Sequence, residues 1–411
     1  MTKQKELIFI PSMSTGEYGK YCQKNIPLSG SITTRFYSSD FPAEYRHNYF
    51  LLTAGHLYKK KGIRKEWGLE DTFVMGDSGG YQIATGAIKW STAIRQEIFE
   101  WLEDNSDVAL NIDIPPFANY LGKYEECLEI SYDNFKYFEK NQTGKTKFLN
   151  VLHGGNLKNR IKWYDKVKGF EFKGWACGGS RAPYNLASSL VVLVQNKEHI
   201  KSTNEYLHIL GATKVQDFFF LSQVQKSLNE VGSNMQVTTD SSTPSRGMAF
   251  GLYYAGVNYK NDSFMSLHIP KQFSANKNYV APDCLGTILP YQNDLTMPRA
   301  CEFDKILDGA YTYGDCLNNV NHSQMFMTLH NAMFFVEVQN QISRYVMHHD
   351  YLLEQFTTSE TFKVMKILDQ IIKSDTPEKV LMANEQFLLS LSPIVTDSTV
   401  NSTSVSDFFS L

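Results

Sequence analysis

Eight short apolar runs set the strongest constraint on how this chain folds. They are Leu7–Ile10, Tyr49–Thr53, Phe73–Met75, Val108–Ile112, Phe148–Leu152, Gly174–Ala176, Tyr206–Leu210 and Met235–Val237, and several end at a Gly, Asp, Ser or Pro. Runs this short bounded by turn residues are strands, and strands without strict polar alternation are buried on both faces. Amphipathic stretches separate many of them. Thr92–Leu102 and Tyr124–Phe138 carry apolar residues three and four apart, the period of a helix with one buried stripe. Alternating βα order predicts a parallel sheet covered by helices, either closed into a barrel or open and doubly wound. No G-x-G-x-x-G follows the first run, which weakens the dinucleotide-binding alternative. The reading is therefore an α/β chain folded as a TIM (β/α)8 barrel, for which 411 residues are ample.

The pattern changes near residue 264. Long apolar runs become scarce, Pro and Asn more frequent, and three of the six cysteines crowd between Cys284 and Cys316. A segment poor in core needs another staple, and the thiolates of Cys284, Cys301 and Cys316 with the imidazole of His330 suit tetrahedral Zn²⁺. His322 is a rival fourth ligand, and three buried thiols are the plain structural alternative. Helical periodicity resumes over Ala332–Met347 and Thr361–Ile372. The expected organisation is a barrel core over 1–263, an inserted zinc-binding subdomain over 264–330, C-terminal helices over 331–395 completing the barrel domain, and a flexible tail over 396–411.

Charge excludes a broad polyelectrolyte coat, since the net value is −3, but leaves room for a local basic groove. The run Lys59–Lys65 reads as a solvated helix end or loop. The apolar stretch near the N-terminus is too short for a signal-peptide core or a membrane span. Six cysteines without a regular framework point to a reducing compartment, so the expected location is cytoplasmic.

Carboxylates cluster where runs end. Catalytic groups of parallel barrels sit at such places, because the C-terminal ends of all strands open on one mouth. Asp77-Ser78-Gly79-Gly80-Tyr81-Gln82 follows the third run, and its glycines let backbone approach a flat ligand closely. Asp113, in Asn111-Ile112-Asp113-Ile114-Pro115-Pro116, could accept hydrogen bonds from a guanine-like edge or could simply cap the next helix. His153-Gly154-Gly155 and Cys177-Gly178-Gly179-Ser180 place paired glycines after two further runs, either as turns or as a slot for a planar ring. Asp240 opens D-S-S-T-P-S-R, and a carboxylate there can act as a nucleophile toward a sugar carbon.

Taken together, D-S-G-G-Y-Q and D-x-x-x-P-S-R resemble the signature motifs of the tRNA-guanine transglycosylase superfamily, whose members exchange guanine in a polynucleotide for a 7-deazaguanine. The resemblance spans roughly Phe73 to His330, with Tyr81 for a Phe and Ser245 for a Thr. It implies Asp77 as general acid/base, Asp240 as nucleophile, and Ser78, Asp113, His153, Gly178 and Gly179 as base-binding residues. Arg246 would meet backbone phosphate, and Cys284, Cys301, Cys316 and His330 would hold structural zinc. Gly211 to Asp217 matches the family's strand, glycine and helix-start segment. The chain departs from the family in His153 for a glutamine, Ser180 for an apolar residue, and cysteines 17 and 15 residues apart. These departures resemble the phage and bacterial branch that inserts 7-deazaguanine derivatives such as preQ0 or preQ1 into DNA, in the host cytoplasm if phage-encoded. The alternatives are a tRNA enzyme of the queuosine or archaeosine type, a non-catalytic partner subunit, and a nucleoside hydrolase. A homodimer, as in family enzymes, is a further expectation.

Overall fold

All eight apolar runs are strands of one sheet. The computed structural model describes residues 4–13, 27–29, 32–33, 35–116, 124–180, 182–268, 299–301 and 320–391. The strands are β1 (Ile8–Pro11), β2 (Tyr49–Thr53), β3 (Phe73–Asp77) and β4 (Val108–Leu110), then β5 (Lys147–Leu152), β6 (Gly174–Cys177), β7 (Tyr206–Ile209) and β8 (Gln236–Ser241). They run in the order β1-β8-β7-β6-β5-β4-β3-β2, and every pair is parallel. A single parallel bridge, Ser12 with Leu51, spans the seam between β1 and β2. The result is a nearly closed barrel with C-terminal helices, consistent with a TIM barrel.

Helices cover the outside. α1 (Gly80–Ala84), α2 (Thr92–Asn105), α3 (Tyr124–Asn141), α4 (Leu157–Val167), α5 (Pro183–Gln195), α6 (Val215–Glu230) and α7 (Thr243–Ala249) follow strands β3 to β8, with α1 and α2 both between β3 and β4. Local chemistry sets where they begin. The Ser91 hydroxyl accepts the Ile94 N–H at the head of α2, the Asn156 side chain accepts the Asn159 N–H at the head of α4, and Pro183 opens α5. Because both sides of each strand face apolar groups, Phe50, Val74, Leu149, Val151, Ala176 and Val237 are all fully buried.

Two expected boundaries fall inside continuous structure. The hairpin β9 (Leu252–Asn258) and β10 (Ser263–His268) spans 263/264, and helix α8 (Val320–His348) starts earlier than expected and spans 330/331. Phe264 explains the first. Its ring stacks on Phe335 at 4.4 Å and meets Phe218 of α6 edge-on, so the hairpin belongs to the barrel's own packing. Helices α9 (Ser359–Lys373) and α10 (Pro377–Ser390) close the described chain, packing on α6 and α5. Cys284, Cys316 and the tail 396–411 lie outside the described residues, as does the side chain of His322. Among the described residues no helix is long and apolar enough to cross a membrane.

Candidate active site

Parallel order sends every strand's C-terminal end to one mouth, and the sequence's candidate residues collect there. β3 ends at Asp77, Asp113 follows β4, His153 follows β5, Gly178 and Gly179 follow β6, and Asp240 lies near the end of β8. Strand register gives their direction. Thr53 pairs with Asp77, His208 pairs with both Ala176 and Thr238, and Asp240 is two residues beyond Thr238, hence on the same face. β3 and β8 are not neighbours in the sheet, yet the charge of Asp240 acts on Asp77. A Cβ on Gly76 would meet Leu102 and Ser106 on the helix side, so the next residue, Asp77, points the other way, into the barrel.

Asp77 is strongly perturbed. Burial pushes its pKa up to about 7, and the nearby carboxylates of Asp240 and Asp113 push in the same direction. The Gly79 N–H, donated at 3.1 Å, pulls the other way more than either carboxylate pushes, and the Thr53 hydroxyl adds a smaller pull. Part of the side chain stays open to the mouth, but the surrounding protein still desolvates the carboxyl. Both glycines of the motif are sterically required. A Cβ on Gly79, whose φ is +83°, would lie 2.5 Å from the Gly55 Cα, and one on Gly80 would lie 2.2 Å from the Asp113 carbonyl oxygen. Ser78 is fully buried, and its hydroxyl donates to the Asn111 carbonyl at 3.1 Å, tying the β3 and β4 loops together. Ser78 thus serves the loop's shape.

Asp113 and His153 form a buried pair, with His153 Nε2 2.6 Å from Asp113 Oδ2. Trp163 meets the imidazole edge-on at 5.0 Å. Gly178 makes the space, because a Cβ there would lie 2.1 Å from His153 Cε1. Gly179, at φ +63°, has open space where a Cβ would go.

Asp240 Oδ1 accepts the Gly211 N–H at 2.9 Å. Gly211 sits at φ +80°, a backbone conformation that glycine adopts freely, which turns this N–H back toward β8. Asp217 then closes the start of α6, its Oδ2 accepting from the N–H groups of Thr213 and Lys214. His208, which the motif reading passed over, is also here. It is fully buried, Nδ1 lies 2.9 Å from Thr238 Oγ1, and Nε2 lies 3.4 Å from Asp240 Oδ1. The available signal was its place in Y-L-H-I-L, a histidine in a barrel strand, but a lone histidine there is more often core. Thr53 and Gly55, which shape the Asp77 loop, carry no motif of their own.

The last motif joins the C-terminal helix to the segment after Asp240. Asn331, fully buried on α8, donates to the carbonyls of Pro244 and Leu252 and accepts the Tyr254 N–H. Next to it His330 stacks on Tyr253 at 3.7 Å and donates from Nε2 to the Tyr254 carbonyl at 2.7 Å. Its proton is therefore on Nε2, and the Nδ1 lone pair faces Cys301 Sγ at 3.9 Å. An imidazole held through one nitrogen by a backbone carbonyl, with the other presented to a thiol, matches the outer-shell pattern of metal-bound histidine. Two of the four expected zinc ligands thus come together, and the other two lie outside the described residues. Among the described residues no group of three or more His, Cys, Asp or Glu could hold a metal. Arg246 lies on α7 near Tyr254, half-buried.

Fold and site define a nearly closed parallel α/β barrel with three carboxyls, those of Asp77, Asp113 and Asp240, gathered at its C-terminal mouth. No family model matches the chain, and no curated protein matches it.

Proposed function

We propose that this protein is a base-exchange transglycosylase that replaces guanine in DNA with a 7-deazaguanine derivative. The observation that carries the reading is the pairing of Asp77, a carboxyl whose pKa lies near 7, with Asp240 on the facing strand. One acid that holds its proton at neutral pH beside another that can attack is the division of labour base exchange requires. A carboxylate oxygen of Asp240 attacks C1′ of the target nucleotide. The C1′–N bond breaks, and its electron pair leaves with guanine, which takes the proton of Asp77. The incoming base then gives its ring proton to Asp77 and displaces Asp240 from C1′. Two inversions restore the original β configuration, and the polymer is never cut.

Asp113, His153, Gly178 and Gly179 would form the base slot. His153 in place of an amide, and the spread cysteines, favour DNA over tRNA. Arg246 would meet the phosphate backbone. The target guanine must leave its stack, at a cost on the order of a few kcal/mol. A Zn²⁺ held by Cys301 and His330 with Cys284 and Cys316 would be structural, fixing the segment beside the β9-β10 hairpin.

The test is incorporation of radiolabelled guanine into duplex DNA, single-stranded DNA or unmodified tRNA by wild type and by Asp240→Ala. The expected outcome is label in DNA with wild type alone. Label in tRNA alone would reassign the polymer, and full activity of Asp240→Ala would sink the nucleophile assignment. Release of guanine with no exchange would mark a hydrolase.

A further inference from the structure

We propose that His208 is a positioning residue for Asp240: it holds one carboxylate oxygen so that the other faces the sugar carbon. This rests on Asp240 being the nucleophile.

The geometry is asymmetric. Asp240 Oδ1 already accepts the Gly211 N–H at 2.9 Å, and His208 Nε2 stands 3.4 Å from that same oxygen. His208 is wholly buried, its Nδ1 engages Thr238 Oγ1 at 2.9 Å, and Nε2 has no hydrogen-bond partner. The Thr238 hydroxyl has a proton to give. When it donates to Nδ1, the single proton of the neutral ring sits on Nε2, on the side of the ring that Asp240 occupies. At 3.4 Å Nε2 is near Asp240 Oδ1 but out of line for a hydrogen bond, so a small reorientation as substrate settles would complete the contact. In the other tautomer Nδ1 donates to Thr238 and the Nε2 lone pair faces the Asp240 carboxylate, an unfavourable approach of two acceptors.

The strands make the alignment rigid. His208 and Thr238 are partners in the β7-β8 register, and Asp240 is two residues along the same face. Two donors, one from the β7 side chain and one from the turn after β7, then converge on Oδ1. Oδ2 is left to attack. In the first displacement the Oδ2–C1′ bond forms as the C1′–N bond breaks, and Oδ1 becomes the ester carbonyl. In the second, the electron pair returns to the carboxylate, and both donors receive the restored charge on Oδ1. His208 gives up no proton in either step. Its contribution is orientation, where a misplacement near 1 Å can cost about a hundredfold in rate.

Two substitutions separate this from simple core filling. His208→Met keeps a similar volume and removes the donor, whereas His208→Gln returns an N–H at comparable reach. Thermal midpoint, single-turnover guanine release and KM for the DNA are measured for each. The expected result is wild-type midpoints and unchanged KM, with release slowed by about a hundredfold in the Met variant and largely recovered in the Gln variant. A folded Met variant releasing guanine at the wild-type rate, or a loss confined to KM, would overturn the proposal. ¹⁵N spectra of the His208 ring in wild type and Asp240→Ala supply a readout independent of turnover. A proton on Nε2 whose signal moves when Asp240 is removed supports the contact, and an unmoved signal overturns it. If wild type exchanges no base into any polymer while this coupling is present, the functional reading fails and the contact stands.

Discussion

His153 reaches Asp113 at 2.6 Å only because residue 178 has no side chain, since a Cβ there would sit 2.1 Å from His153 Cε1. One glycine just after β6 thereby sets the position of a histidine just after β5 and its bond to a carboxylate after β4. The pair is enclosed, and Trp163 blocks the ring's retreat. Gly178→Ala must push the imidazole away. The expected cost is about 1–3 kcal/mol of stability, with loss of guanine binding by calorimetry. Adding His153→Ala should recover stability in this background without recovering binding. If Gly178→Ala binds guanine as wild type does, Gly178 and His153 do not shape the slot.

Asp77 links pH to both rate and stability. On the proposed base exchange its proton goes to the departing guanine, so single-turnover release should fall as pH rises through about 7. Stability follows the same titration. A carboxyl whose folded pKa is raised holds its proton more tightly in the folded than in the unfolded chain. The stability it contributes is complete below the ordinary carboxylate range and is lost as pH climbs toward 7. Asp77→Asn should therefore match wild type near pH 4 and exceed it near pH 8, by no more than about 4 kcal/mol, while releasing no guanine. Urea unfolding at the two pH values checks the sign, and a variant less stable than wild type at pH 8 would contradict it.

Cys301 and His330 give the zinc reading a direct assay. Purified protein should carry one zinc per chain by elemental analysis, and Cys301→Ser should lower metal content and thermal midpoint together. Loss of midpoint with no zinc in the wild type would leave a buried thiol packed against an imidazole, the alternative that burial alone permits.

Much of the fold was legible because buried parallel strands leave a simple trace: all eight apolar runs are strands, and Thr92–Leu102 and Tyr124–Phe138 lie within α2 and α3. The boundaries at 263/264 and 330/331 were less legible. Phe264 reads as the start of a sparse segment, but its partners Phe218 and Phe335 are distant in sequence, and only the folded chain brings them together. The carboxylates at strand ends announced themselves through spacing. His208 did not, because its meaning depends on the β7-β8 register, which no single strand contains. The His153–Asp113 bond was hidden in the same way: each residue suggested a contact with a base, and the structure joins them to each other.

Asn331 ties the C-terminal helix to the turn after Asp240. Its carboxamide holds three backbone groups: the carbonyl of Pro244 in α7, the carbonyl of Leu252, and the N–H of Tyr254 in β9. Pro244 lies four residues past Asp240, so α8 braces the turn that follows the proposed nucleophile. Leucine has nearly the same volume and none of the polarity. Asn331→Leu should thus cost about 3 kcal/mol, roughly 1 kcal/mol per hydrogen bond, measured by urea unfolding. It should also slow guanine release, because the β8-α7 turn loses its anchor, and KM for the base should change little because the slot lies across the barrel. A variant equally destabilised but with undiminished release would show that α8 supports the fold without setting the position of Asp240.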